Sequence, residues 1–251
     1  MSRSDSRPSE SRRRKEDAAR ERAGAPILVV AGLARETACV AGEGVTTICS
    51  GADVAALRAA LEKTQETEFS CVVRFGLAGG LDYALRPGDV VVGLEAVAGE
   101  TRHPMHKRLS DVLAEGLATA GLRTSQGVLA GVDRPVMDAR AKSALREATQ
   151  AVAVDMESHV VAGYAQARKL PFVIVRAITD PASRALPKLA ASALKPNGDV
   201  DVARVVSELA REPGQIGDLI RAGLDARAGF SALRRSGALL GPLIRLVLTD
   251  L

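Results

Sequence analysis

Two short apolar runs, residues 151–154 and 172–178, bracket about three turns of helix-patterned sequence, and this arrangement constrains the fold more than anything else in the chain. Strand-length runs without polar alternation are buried on both faces, so helices must cover both sides of their sheet. The spacing predicts a strand, helix, strand unit whose two strands run parallel and end at one edge of the sheet. Ligands of open α/β sheets gather outside that carboxyl edge. Asp155 and Glu157 would stand there, where the first strand turns into the helix, with Asp180 just past the end of the second. Aspartates also cap helices and open turns before proline, so position alone leaves structural and chemical roles both open.

Composition limits what can surround this unit. The 251 residues are 47% hydrophobic but 2% aromatic, with no Trp, which suits one substantial α/β domain with a core of Ala, Val, Leu and Ile. The formal charge of +4 is concentrated at the start, where residues 1–24 hold eight Lys/Arg against five Asp/Glu, leaving the remainder near +1. That segment is expected to be a disordered basic tail, and the folded body is not expected to bind nucleic acid. Cys39, Cys49 and Cys71 are odd in number and lack metal-type spacing, which suggests free thiols in a reducing compartment. His103 and His106 have no third ligand at suitable spacing, so no metal site is expected. The N-terminus carries no apolar signal-peptide core, and a cytoplasmic location is expected.

Along the chain, a strand over residues 26–31 leads into a turn carrying Glu36. The helix macrodipole favours a Glu there, but this turn also lies at the carboxyl edge. A strand over 45–49 and a helix over 52–63 follow, then a strand over 71–75 that runs into the glycine-rich Gly76, Leu77, Ala78, Gly79, Gly80. Such a turn lets backbone N–H groups approach an anion or a sugar. It matches neither GxGxxG nor the P-loop, which argues against nicotinamide and ATP. Helices over 111–120 and 139–147, a strand over 125–130 and a loop over 131–137 lead back to the central unit.

Asp155-Met156-Glu157 followed by Arg176-Ala-Ile-Thr-Asp180 resembles the signature of the purine nucleoside phosphorylase and nucleosidase superfamily, especially the methylthioadenosine/S-adenosylhomocysteine nucleosidases. The Gly76–Leu81 turn with the Gly-Asp-Val-Val that follows it resembles the family's second signature, in the right order. The resemblance implies a single three-layer αβα sandwich around a central mixed, mostly parallel sheet, and N-glycosidic cleavage of an adenine nucleoside. It implies roles residue by residue. Asp180 would protonate the purine N7, Glu157 would bind the ribose hydroxyls with Met156 packed under the sugar, and Glu36 would help activate the attacking water. Gly76, Ala78 and Gly79 would border the substrate, and Pro135 and Val136 would stand where many nucleosidases hold the purine with an aromatic-aliphatic pair. Arg74 matches a position where some phosphorylases bind phosphate; an Arg ending a strand beside a carboxylate is the alternative. Leu77 stands where relatives commonly carry Ser. No cofactor is implied beyond phosphate as a co-substrate, and water and phosphate both remain open as nucleophile. The chemistry fits these residue types, because a partly desolvated Asp can hold the proton that a leaving base needs.

Beyond Asp180, helices are expected over 188–194, 200–211 and 215–235, the last amphipathic, with Ile216, Leu219, Ile220, Leu224 and Leu233 opposed to Arg221, Arg227, Arg234 and Arg235. An apolar run over 238–248, interrupted at Gly241-Pro242, is about half the ~20 residues a membrane span requires. It completes the core or an interface, or else forms a rim that docks at a membrane surface. This region is similar to that of the hopanoid-associated phosphorylases, which implies adenosylhopane as substrate, an apolar 5′-substituent and a peripheral contact at the inner membrane. The domain reading is a tail over 1–24, a catalytic domain over 25–212 and a helical extension over 213–251, assembled as a homo-oligomer, a dimer first. A methylthioadenosine/S-adenosylhomocysteine nucleosidase and a non-catalytic nucleoside-binding module are the other readings.

Overall fold

A computed structural model of the chain describes residues 24–51, 53–185 and 216–249. Residues 1–23 of the tail expected over 1–24, and the helices expected over 188–194 and 200–211, lie outside these residues. Eight strands are described: β1 (Ile27–Ala31), β2 (Val45–Cys49), β3 (Cys71–Gly80), β4 (Val90–Ala98), β5 (Thr101–Pro104), β6 (Thr124–Gly131), β7 (Ala153–Asp155) and β8 (Phe172–Asp180). The helices are α1 (Ala34–Thr37), α2 (Val54–Glu62), α3 (Lys107–Thr119), α4 (Ala139–Thr149), α5 (Ser158–Ala167) and α6 (Ile216–Leu248). The strands form a mixed sheet in the order β2-β1-β3-β7-β6-β4-β5, with β8 bonded to both β3 and β4. Among the described strands five of eight pairings are parallel, the mostly parallel sheet that the sequence predicts.

The period-2 alternation of a strand divides the apolar side chains between two helical layers. Ile27, Val29, Val73, Phe75, Val173 and Val175 pack on one side against Leu109, Leu113 and Leu117 of α3 and Leu233, Leu240 and Ile244 of α6. Leu28, Val30, Val72 and Ile174 face the other way, against Leu57 and Leu61 of α2 and Val161 and Ala165 of α5. A third cluster under α4 joins Leu81, Ala130 and Val154 to Leu145.

The central unit differs from the paired parallel strands expected of it. β7 takes β6 as its parallel partner and runs antiparallel to the end of β3, while β8 runs parallel to β3 and does not pair with β7. Tertiary context makes this choice: β3 is long enough to serve β8 along its body and, past an irregularity at Ala78/Gly79, to accept the three-residue β7. Gly79 therefore lies opposite both Val154 and Asp180, which is how the carboxylates still converge.

A second difference lies in α6, which continues without interruption through Gly241 and Pro242. Proline inside a helix removes one backbone donor at a cost of about 3 kcal/mol. Burial of Leu240, Ile244, Val247 and Leu248 offsets it, at roughly 1.5–3 kcal/mol for each side chain. The residues past Ser236 thus complete the core. The exposed large apolar residues of α6 are Ile216, Ile220, Leu224 and Leu246, and among the described residues no helix is long and apolar enough to cross a membrane.

Candidate active site

The alternation that sends Val72 and Ile174 toward α2 and α5 also sends Arg74 and Arg176 to that face, farther along the same strands. There they meet the N-terminus of α5. Asp155 accepts from the backbone N–H groups of Glu157 (3.0 Å) and Ser158 (2.8 Å) and from the Ser158 hydroxyl, and so caps the helix start. It also accepts from Arg176, through Nε at 2.6 Å and through Nη2. Burial pushes the Asp155 carboxyl up, but Arg176, Arg74 and the Ser158 donors outweigh it and hold the group well below the usual carboxylate range. Asp155 therefore acts as cap and counter-ion at once.

Glu157 is 1% exposed and uses one carboxylate oxygen, Oε2, to pair with Arg74 Nη2. Its other oxygen, Oε1, is buried with no partner among the described residues. Arg74 also donates from Nη1 to the Val30 carbonyl at 3.0 Å. Burial and the neighbouring Arg176 push its guanidinium below the ordinary value, against the pull of Glu157, Asp155 and Glu36. Arg74 thus pairs with a buried acid, where the sequence left a phosphate ligand or a surface pair open, and its Nε is buried with no hydrogen-bond partner among the described residues.

Glu36 reaches back over the turn after β1. Oε2 accepts from Gly32 N (2.8 Å) and Leu33 N (3.0 Å), the second contact being the reciprocal half of a capping box, and Oε1 accepts from Leu77 N (2.7 Å). Three of roughly four lone-pair positions are filled, which leaves one on Oε1 for a further donor. Gly76 makes this approach possible, since a Cβ there would lie 2.7 Å from the Glu36 carboxyl carbon and 2.5 Å from Arg176 Nη1. Gly76 therefore supports Glu36 from behind, whereas Ala78 and Gly79 border the cavity directly. A Cβ on Gly79 would stand 2.9 Å from Asp180 Oδ2.

Glu36, Arg74, Asp155, Met156, Glu157, Arg176 and Asp180 enclose one cavity of ≈ 230 Å³. Leu33, Leu77, Val132, Pro135 and Val136 supply its apolar wall. Of the four carboxylates, Asp180 is balanced by the Lys142 ammonium, and Glu36, Asp155 and Glu157 stand against two guanidiniums, Arg74 and Arg176, which leaves one negative charge when all are ionised. Among the described residues no group of three or more His, Cys, Asp or Glu could hold a metal ion; His106 caps α3 and His103 bonds Gln166.

Asp180 is partly buried, its side chain 20% exposed, and it carries partners that the sequence did not suggest. Lys142 Nζ donates to Asp180 Oδ2 at 2.7 Å, and the Thr179 hydroxyl donates to Oδ1 at 3.0 Å. Sequence reasoning missed Lys142, although a signal was available: on α4 it stands three residues before the core-packed Leu145 and seven before the buried Thr149, a position facing inward.

Residues 14–212 match a family model described as the phosphorylase superfamily. A 5′-methylthioadenosine/S-adenosylhomocysteine nucleosidase of Haemophilus ducreyi is 29% identical over 136 residues, 47% of this chain; the match spans 59% of that curated relative. Among solved structures, the Helicobacter pylori nucleosidase of the same name, complexed with a (prop-2-yn-1-ylthio)methyl pyrrolidinol, superposes with a TM-score of 0.63 at 15% identity over 88% of this chain and 98% of that one. Futalosine hydrolase from Helicobacter pylori gives 0.63 at 15% identity over 88% and 97%. The Colwellia psychrerythraea nucleosidase in complex with adenine gives 0.58 at 18% identity over 74% and 96%. At these identities the structural likenesses establish the shared fold, and the match over residues 14–212 establishes the family: the chain belongs to the phosphorylase superfamily.

Proposed function

We propose that the chain hydrolyses the N-glycosidic bond of an adenine nucleoside. The observation that carries this reading is Glu157 Oε1, a buried carboxylate oxygen in the wall of the cavity with no donor among the described residues, beside an Oε2 fixed by Arg74. An unpaired buried acceptor is costly unless a ligand supplies a donor, and ribose hydroxyls are such donors. With the sugar on Glu157 and Met156, the base would lie toward Asp180 and the apolar wall of Val132, Pro135 and Val136. The bond from C1′ to the purine breaks with its electron pair going to the base, and N7 takes a proton from Asp180. Water adds to C1′ and yields its proton to Glu36 through the open position on Oε1. The net negative charge of the carboxylate group favours a ribosyl cation and opposes an incoming phosphate. Arg74 is held by Glu157 and the Val30 carbonyl, while its Nε is buried with no hydrogen-bond partner among the described residues, and Leu77 offers no hydroxyl.

The 5′-substituent of this proposed substrate is large and apolar, with adenosylhopane the favoured case. Leu33 and Leu77 line the cavity, and α6 reaches its rim at Gly229, where a Cβ would meet Thr179 Cγ2 at 2.7 Å and Leu77 Cδ2 at 3.2 Å. Earlier on α6, Ile216, Ile220 and Leu224 are 46%, 61% and 61% exposed at four-residue spacing, beside the exposed Arg221 and Arg227. This surface suits a peripheral contact with anionic lipid. The smaller-substituent reading, a methylthioadenosine/S-adenosylhomocysteine nucleosidase, draws support from the Haemophilus ducreyi relative. Adenine release from adenosylhopane and from 5′-methylthioadenosine, compared as kcat/KM, separates them. A preference for 5′-methylthioadenosine overturns the apolar assignment, and release from neither overturns the reaction.

A further inference from the structure

Resting on that hydrolytic reading, we propose that Lys142 is the positioning residue that fixes the charge and orientation of Asp180, and with them the pH range over which the base departs. Lys142 is fully buried, the one buried lysine among the described residues. Its three donors have three acceptors: Asp180 Oδ2 at 2.7 Å, the Pro181 carbonyl at 2.9 Å and the Arg184 carbonyl at 3.1 Å. A complete acceptor set of this kind holds an ammonium, because a neutral amine has only two N–H groups to give. The same three bonds tie α4 to the segment that leaves β8, so the Asp180 carboxylate cannot swing without breaking them. Among the described residues, the neighbouring cations have other partners. Arg176 is committed to Asp155, Arg184 is paired with Asp225 of α6 at 2.7 Å, and Arg146, one turn beyond Lys142, is paired with Asp82 at 2.7 Å. From its own strand Asp180 receives only the Thr179 hydroxyl.

The proton for the leaving base is then taken from solvent. Asp180 forms an O–H bond, passes that proton to N7 as the bond to C1′ breaks, and returns to the carboxylate, while Lys142 keeps all three of its N–H bonds. A neighbouring cation makes the protonated carboxyl harder to keep as pH rises. Lys142 therefore sets where the alkaline limb of the kcat/KM profile falls.

The test is that profile, measured by adenine release for the wild type, K142Q and K142R. An amide at position 142 can still donate to the Pro181 and Arg184 carbonyls but carries no charge, so K142Q should stay folded in thermal melts and move the alkaline limb up by about one pH unit or more. K142R, which keeps the charge, should leave the limb where the wild type has it. A folded K142Q with uniformly reduced activity and an unmoved limb would reduce Lys142 to a structural residue. Should K142Q not fold, a displaced limb in K142R overturns the proposal by itself. A wild type that releases no adenine sinks the hydrolytic reading beneath it, an outcome distinct from an active enzyme whose limb does not respond to residue 142.

Discussion

At the scale of single residues the site depends on how its charges are shared. Asp180→Asn keeps shape but has no acidic proton, so kcat should fall by about 10²–10⁴ with the fold intact; release within tenfold of the wild type would remove Asp180 from the acid role. Asp155→Asn acts on stability instead. It leaves Arg176 buried without its counter-ion and should cost about 3–5 kcal/mol, read from urea midpoints. The pH dependence of this loss has a definite sign. Because the folded-state carboxyl is held below the ordinary value near 3.9, its contribution is complete above that pH and drains away as the pH falls below it. The gap between wild type and variant should be constant from pH 5 to 8 and shrink on acidification from about pH 4 downward. Asp155, Glu157 and Asp180 were legible in the sequence because acids at strand ends beside a family signature carry a chemical meaning of their own. Lys142 was not, since a lysine in a helix ordinarily faces water and only the inward position of its stripe argued otherwise.

Among elements, the two covering layers were readable from apolar periodicity, but strand partners were not. Nothing in β7 or β8 says that β3 will stand between them, because pairing is chosen by the length and irregularity of β3, a property of another element. The continuity of α6 was hidden for the same reason: Gly241-Pro242 reads locally as a break, and the burial that overrides it is tertiary. The close seat of α6 gives a test. Glycine to alanine inside a helix ordinarily gains about 1 kcal/mol. At Gly237 a Cβ would be driven into the backbone carbonyl of Cys39, so Gly237→Ala should lower the melting temperature; an unchanged or raised value would mean that α6 does not pack there as described.

For the whole molecule, the C-terminal residues are part of the body rather than an appendage. Deleting residues 237–251 removes Leu240, Ile244, Val247 and Leu248 from the core shared with α3, and should give an aggregating protein inactive on soluble and apolar nucleosides alike. Retained activity on a soluble nucleoside would return that segment to the role of a membrane rim. The central claim, that a net-negative carboxylate group drives hydrolysis of an adenine nucleoside, can be tested most directly by turnover in H₂¹⁸O without phosphate. The account predicts free adenine and a sugar carrying ¹⁸O at C1′, at a rate that added phosphate does not raise. Adenine release that requires phosphate and leaves a sugar 1-phosphate without the label would contradict it.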